Sequence, residues 1–220
     1  MKMNRRNIGK RAHSGFTLLE LMVTLAILTV VFGIVARGIM EMQQRNSVEL
    51  SKVDLTQETR QFMDQITNDI HQAGFPALRM FDPSLGYTTA STKVAAGLTN
   101  VTSTEVDFEG DVDGTGQVSV VKIQLVIPAG GCPCTIQRGT IPKPGATPLF
   151  YTEVDNVMNT SVFTAYKNDG SVVTLPASAS DLLNIKAIGI TLWVQSTIAD
   201  QKTGVFPTVT MVSQAKIDNN

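Results

Sequence analysis

The chain has 220 residues, 43% of them hydrophobic, and its 18 basic and 19 acidic side chains nearly cancel to a formal charge of −1. That balance supplies no general basic field, so no nucleic-acid partner is expected. With two histidines, no Gly-x-Ser-x-Gly, no phosphate loop and no His-rich metal motif, enzymatic chemistry has no footing; no catalytic residue, metal or cofactor is expected.

The charge is unevenly placed. Lys2, Arg5, Arg6, Lys10 and Arg11 all precede the first acid, Glu20. From Phe16 to Ala36 there are 21 residues, and Glu20 alone among them is charged. At about 1.5 Å per helical residue the run covers roughly 30 Å, the thickness of a hydrocarbon core. A charged group costs on the order of 2.5–3.5 kcal/mol near the membrane centre and less near the interface. Glu20 therefore needs a partner, and its own span contains none. A cut after Gly15 creates one, the new amino terminus on Phe16. An ordinary secretory signal also begins with basic residues and an apolar segment, but this run is too long for a typical h-region and no Ala-x-Ala site follows it. The positive-inside rule keeps the leader in the cytoplasm and exports the rest. Without residues 1–15 the chain keeps 13 basic and 19 acidic residues, about −6.

The segment Ser14-Gly15-Phe16-Thr17-Leu18-Leu19-Glu20-Leu21-Met22-Val23 resembles the class III signal of type IV prepilins and type II secretion pseudopilins. The resemblance implies that a prepilin peptidase cuts between Gly15 and Phe16 and N-methylates Phe16. It also implies a single pass through the inner membrane, with the C-terminal domain in the periplasm, before incorporation into a pilus or pseudopilus. The implied partners are the peptidase, the lipid bilayer before assembly, other pilins or pseudopilins through the N-terminal helix, and the inner-membrane assembly platform. Glu20, one helical turn after the new terminus, is the candidate subunit-assembly residue, pairing with a neighbour's Phe16 amine in a low-dielectric setting.

The helix is expected to continue beyond the membrane. From Arg37 to Ala73 there is no proline. Val48, Leu55, Phe62, Ile66, Ile70 and Ala73 make one apolar stripe of helical period, while charged residues including Asp64 and Asp69 mostly fall on the other faces. Gly74-Phe75-Pro76 is a stop signal, and His71 suits the helix C-terminal dipole. A coiled coil is the alternative for this half, but the stripe is not a clean heptad seam. The expected organisation is a leader at 1–15, a transmembrane half-helix at 16–36, an amphipathic half-helix at 37–73 and an exported β-rich domain at 74–220.

In that domain, turn signals alternate with short apolar runs. Val120–Ile127 places Val121, Ile123, Leu125 and Ile127 on one face. Ile185–Val194 places Ile188, Ile190, Leu192 and Val194 on one face and Trp193 on the other. Val157–Tyr166 and Val205–Ile217 read as further strands. Asp111–Gly116 reads as a hairpin turn, and Pro142–Gly145 and Ala199–Gly204 as exposed loops. No helical pattern separates the strands, so the sheet is expected to be antiparallel. The expected fold class is α+β, a long N-terminal helix packed on an antiparallel sheet.

Two short motifs admit more than one reading. Asp111, Asp113 and Thr115 present oxygens at alternate positions as calcium loops do, but aspartates and glycines are also what a tight turn selects. Cys132-Pro133-Cys134 would be exported to an oxidising compartment, where a disulfide and two free thiols are the competing states.

The layout further resembles PilW-type minor pilins, through Arg60–Phe62 and Asp69–Phe75 at the helix end, Phe108–Gly114 at the acidic hairpin, and Asn156-Val157 with Phe163–Tyr166 in a later strand. The implied function is that of a minor pilin, a structural subunit serving initiation, tip or priming of a type IV pilus. A J-type secretion pseudopilin shares the plan. A membrane-anchored surface binding module or adhesin is the alternative of another class.

Overall fold

The computed structural model describes residues 15–145, 147–200 and 203–218. Apart from Gly15, the expected leader lies outside the described residues. The chain divides into two units, one ending at Asn46 and the other beginning at Ser47.

A single helix, α1 (Leu18–His71), contributes to both. Within the first unit every described residue through Asn46 is exposed, apolar side chains included. By length and composition α1 is long and apolar enough to cross a membrane. A helix that is apolar all round has no face of its own to bury, so its solvent is lipid or other helices.

In the second unit α1 changes character. Leu55, Thr59, Phe62, Met63, Ile66, Asp69 and Ile70 are buried, while Val48 is only half-buried. Two of these residues depart from the apolar stripe. Thr59 satisfies its hydroxyl by donating to the Leu55 carbonyl at 2.7 Å. Asp69, expected on the polar side, lies on the buried face because a cation on the sheet meets it there. The helix ends two residues before Ala73. Gln72 and Ala73 close tight turns onto Asp69 and Ile70, and Gly74 then takes a left-handed conformation (φ 77°).

Nine strands follow: β1 (Leu98–Val101), β2 (Glu105–Gly110), β3 (Ser119–Val126), β4 (Cys134–Pro142), β5 (Phe150–Val157), β6 (Phe163–Lys167), β7 (Val172–Val173), β8 (Ile185–Gln195) and β9 (Thr208–Lys216). A short helix, α2 (Ala179–Leu182), precedes β8. All pairings are antiparallel, in the order β1-β2-β3-β4-β5-β8-β6-β7, with β9 on the other edge of β8. The architecture is α+β, a long N-terminal helix on an antiparallel sheet.

Alternation explains the core. In β8, Ile188, Ile190, Leu192 and Val194 are fully buried while Thr191 and Trp193 are exposed. In β3, Val121, Ile123 and Leu125 are buried, but the strand stops at Val126 and Ile127 is exposed ahead of Pro128, which has no N–H to extend a ladder. These faces join Leu55, Phe62, Ile66 and Ile70 of α1 in one cluster. Each fully buried Leu, Ile or Phe stabilises the fold by roughly 1.5–3 kcal/mol relative to an exposed one.

Two loop expectations are corrected. Val157–Tyr166 is not one strand, since β5 ends at Val157 and β6 begins at Phe163. Asn159 holds the intervening turn, donating its amide to the Ser161 and Thr191 carbonyls (2.6 and 2.8 Å) and accepting from the Trp193 N–H (2.9 Å). The Pro142–Gly145 loop is not simply exposed. Lys143 buries its side chain and donates to the carbonyls of Thr89 and Val94 and to Glu109 Oε2 at 2.7 Å.

Candidate processing and assembly site

Gly15, Phe16 and Thr17 precede the helix outside regular structure and are exposed. Gly15 has no neighbouring atom near the position of a Cβ, and Phe16 is 78% exposed. The Gly15–Phe16 bond therefore sits outside regular structure, where a protease cleft can take an extended strand of substrate.

Thr17 starts α1. Its carbonyl accepts the N–H groups of Glu20 (3.1 Å) and Leu21 (3.2 Å), and its hydroxyl also accepts from the Glu20 N–H (3.3 Å). This is the helix cap, with Glu20 in the N3 position. Thr17 thus has a role hidden by its place in an apolar run, although the Thr17-Leu18-Leu19-Glu20 spacing is an N-terminal helix signal. Glu20 lies in the first turn, where the positive end of the helix dipole favours a carboxylate. Among the described residues no basic side chain pairs with it.

The cysteines belong to the other unit. Cys132 and Cys134 form a disulfide with a Cα–Cα separation of 4.5 Å, just where β4 begins. One carboxylate oxygen of each aspartate in the Asp111–Gly116 turn is engaged by the turn itself, while Asp111 Oδ1 is buried without a hydrogen-bond partner among the described residues. Asp113 Oδ1 accepts from the N–H (3.1 Å) and hydroxyl (2.8 Å) of Thr115, and Asp111 Oδ2 accepts from the Gly116 N–H (3.0 Å). Those bonds from Thr115 hold the Asp113 carboxyl below its ordinary value.

The second unit also contains a dock for its part of α1 that the sequence did not announce. Arg138 on β4 donates from Nε to Asp69 Oδ2 at 2.7 Å. Burial pushes the Asp69 carboxyl up, and the charge and hydrogen bond of Arg138 oppose that only in part. At the helix exit, the Gly74 N–H donates to the Glu109 carbonyl and the Asp111 N–H to the Phe75 carbonyl, both at 2.9 Å. Gly110 lies between them. A Cβ there would stand 2.5 Å from the Gln72 carbonyl oxygen, so only glycine lets the backbones approach this closely. The Glu109 carboxylate accepts from the Ala96 N–H (2.8 Å) and from Lys143. One strand end thereby ties the helix exit to the chain segments on either side.

Residues 10–36 match the family described as the prokaryotic N-terminal methylation motif. An apolar helix able to cross a membrane, continuing into a segment packed on an antiparallel sheet, together with that motif at its start, supports a type IV pilin-like protein. The motif implies processing by a prepilin peptidase and assembly with other pilins. No curated protein matches the chain, and no solved structure does.

Proposed function

We propose that the chain is a minor pilin, a structural subunit that contributes to initiation, tip or priming of a type IV pilus. The observation that carries the reading is the methylation motif at residues 10–36, set immediately before and within an apolar helix whose later turns pack on a β domain. In this reading the peptidase cuts between Gly15 and Phe16, Phe16 is N-methylated, and the domain that begins after the membrane span stands in the periplasm. Before assembly the helix is held in the bilayer. The subunit then leaves laterally into a fibre at the assembly platform, and Glu20 sets its axial step by pairing with a neighbour's Phe16 amine.

The test compares wild-type, Gly15→Val and Glu20→Ala chains in cells that make pili. N-terminal mass spectrometry of the membrane form and recovery from sheared, purified pili are both measured. The expected wild-type peptide begins at methylated Phe16, and the subunit is present in pili. Gly15→Val stays about 15 residues longer in the membrane, because a branched residue is too large for the cut position. Glu20→Ala is cut normally but enters pili less. Normal cleavage with wild-type export and no trace in pili would move the assignment to a secretion pseudopilus.

A further inference from the structure

Strand β9 forms an open edge of the sheet. Its register with β8 runs without a shift from Ala187↔Lys216 to Gln195↔Thr208. Two flanking bonds, from the Ser196 N–H to the Pro207 carbonyl and from the Ile217 N–H to the Lys186 carbonyl, fix the phase of the ladder. Residues Val209, Met211, Ser213 and Ala215 therefore bond to β8. Thr208, Thr210, Val212, Gln214 and Lys216 aim their N–H and C=O groups away from it. Among the described residues none of those five N–H groups has a backbone acceptor. The same five residues are exposed, Val212 at 73%.

Proteins normally block such an edge with proline, a bulge, inward charge or a short strand. None of these devices is present in β9, nine residues without proline, glycine or bulge and with Lys216 as its only charge. The other open edges are short or blunted: β5 meets β8 only at Val157, but its free stretch carries Glu153 and Asp155 and its pairing with β4 is broken by register shifts. β7 has two residues, and β1 has four and already receives the Ala177 N–H on the Val101 carbonyl.

We propose that β9 pairs with β9 of a second copy of this chain, antiparallel about Val212, joining two sheets into one. The strand is complementary to itself in this register. A twofold axis at Val212 sets Val212 opposite Val212, Thr210 opposite Gln214 and Thr208 opposite Lys216, and every residue so paired is one whose backbone groups point outward. Charge selects the direction. An antiparallel pair puts each Lys216 beside a threonine, with the two lysines about 27 Å apart at about 3.4 Å per residue. A parallel, in-register pair would put the two Lys216 side by side, and likewise the two Asp218 with which each Lys216 pairs at 2.9 Å, like charge against like. Trp193, next to Thr210 on β8 and 45% exposed, extends the surface that the two Val212 side chains begin to cover. This interface lies wholly within the second unit and does not depend on the pilus reading.

The test uses the full chain in its native membranes. The two cysteines of the sequence are joined to each other, so an introduced cysteine is the only thiol. Hydrogen-bonded antiparallel partners have Cα atoms about 5.5 Å apart, within disulfide reach. Val212→Cys should give a covalent dimer of this chain on mild oxidation at least about tenfold faster than Thr208→Cys, whose copies lie about 27 Å apart. Thr208→Cys mixed with Lys216→Cys should give a heterodisulfide. In detergent, the wild-type chain should have the mass of a dimer and Val212→Lys that of a monomer, with an unchanged far-ultraviolet circular dichroism spectrum as the control for folding. Equal rates for the two single cysteines, linkage of Val212→Cys to a different protein, a monomeric wild type or a dimeric Val212→Lys would each overturn the proposal.

Discussion

Replacing Arg138 with methionine leaves the Asp69 carboxylate buried without its counter-ion. The side chain of Asp69 is 11% exposed and that of Arg138 is 19% exposed, so the carboxylate is the more deeply committed partner. Breaking a buried pair from one side costs about 3–5 kcal/mol, because a lone charge remains inside. Protonation sets a ceiling on that cost. In the unfolded chain an aspartate titrates near 3.9, so neutralising Asp69 to keep it buried costs at most about 1.4 kcal/mol per pH unit above that value. The ceiling is about 4 kcal/mol at pH 7 and about 1.5 kcal/mol at pH 5.

The sign follows from the direction of the shift. The folded-state value of Asp69 is already raised, so the native state holds the proton more tightly than the unfolded chain does. Stability therefore falls as pH rises from the ordinary aspartate value to the raised one, and is level above it. Arg138→Met should extend that falling window upward. Asp69→Asn should behave differently: Arg138 can turn toward solvent, the loss is smaller, about 1–3 kcal/mol, and it shrinks as pH rises through the window in which Asp69 titrates, because the variant lacks that titration. The double change of Asp69→Leu with Arg138→Met should recover most of the loss, since a packed apolar pair is often as stable as a buried ion pair. Urea unfolding of the full chain in detergent micelles, followed by the single Trp193, measures each case. A penalty for Arg138→Met that is the same at pH 5 and pH 7, or below about 0.5 kcal/mol at pH 7, would refute the reasoning.

Gly110→Ala should cost about 1–3 kcal/mol in the same assay, because the clash is with backbone at Gln72 and not with a side chain that can swing away. Gly130→Ala, where no atom lies near the added methyl, is the control, and equal effects would show that the close approach is not the cause. Glu58→Gln tests the acidic cleft of about 430 Å³ between α1 and the ends of β5 and β8, which Asp54, Glu58 and Asp155 line. Burial first, and the charge of Asp155 second, push the Glu58 carboxyl up. Its ionised form therefore costs stability above its ordinary value, and the glutamine variant should be slightly more stable at pH 7 and no more stable below about pH 4.5. Because Glu58 is exposed, the gain should stay under about 0.5 kcal/mol. A loss of stability at pH 7 would contradict this.

What the sequence made legible was what repeats along it. The apolar run from Phe16 with its single charge at Glu20 falls in α1, and the helical stripe through Phe62, Ile66 and Ile70 and the alternation of Ile188, Ile190, Leu192 and Val194 are periodic and buried as expected. What stayed hidden depends on pairs distant in the chain. Asp69 reads as one more acid on a polar face until Arg138, 69 positions later, is placed opposite it by the β4 register. Lys143 sits between two prolines and reads as loop, yet its ammonium is spent on Glu109 and two carbonyls. Asn159 interrupts an apolar run whose composition says strand, and its amide outweighs that preference by satisfying three backbone groups. Strands β4 and β5 were missed because their inward residues are spaced by register shifts that break strict alternation.

The start of the helix shows how one short segment can serve folding and processing without conflict. The cap is Thr17, and the bond after Gly15 leaves Phe16 ahead of that cap, so cutting there removes nothing that α1 uses. The helix keeps its first hydrogen bonds and does not have to reform. A cut two residues later would take the cap away and leave the first N–H groups of the helix unsatisfied in an apolar setting, where each unmet group is costly. The new amine would stand just before the cap, near the positive end of the dipole, and that same end favours Glu20. Amine and dipole repel one another, which makes the amine a poor permanent partner for its own helix end. A carboxylate on a neighbouring helix is the better one. In the proposed assembly Glu20 would be that carboxylate: its N–H is committed to Thr17, and its carboxylate has no basic partner among the described residues.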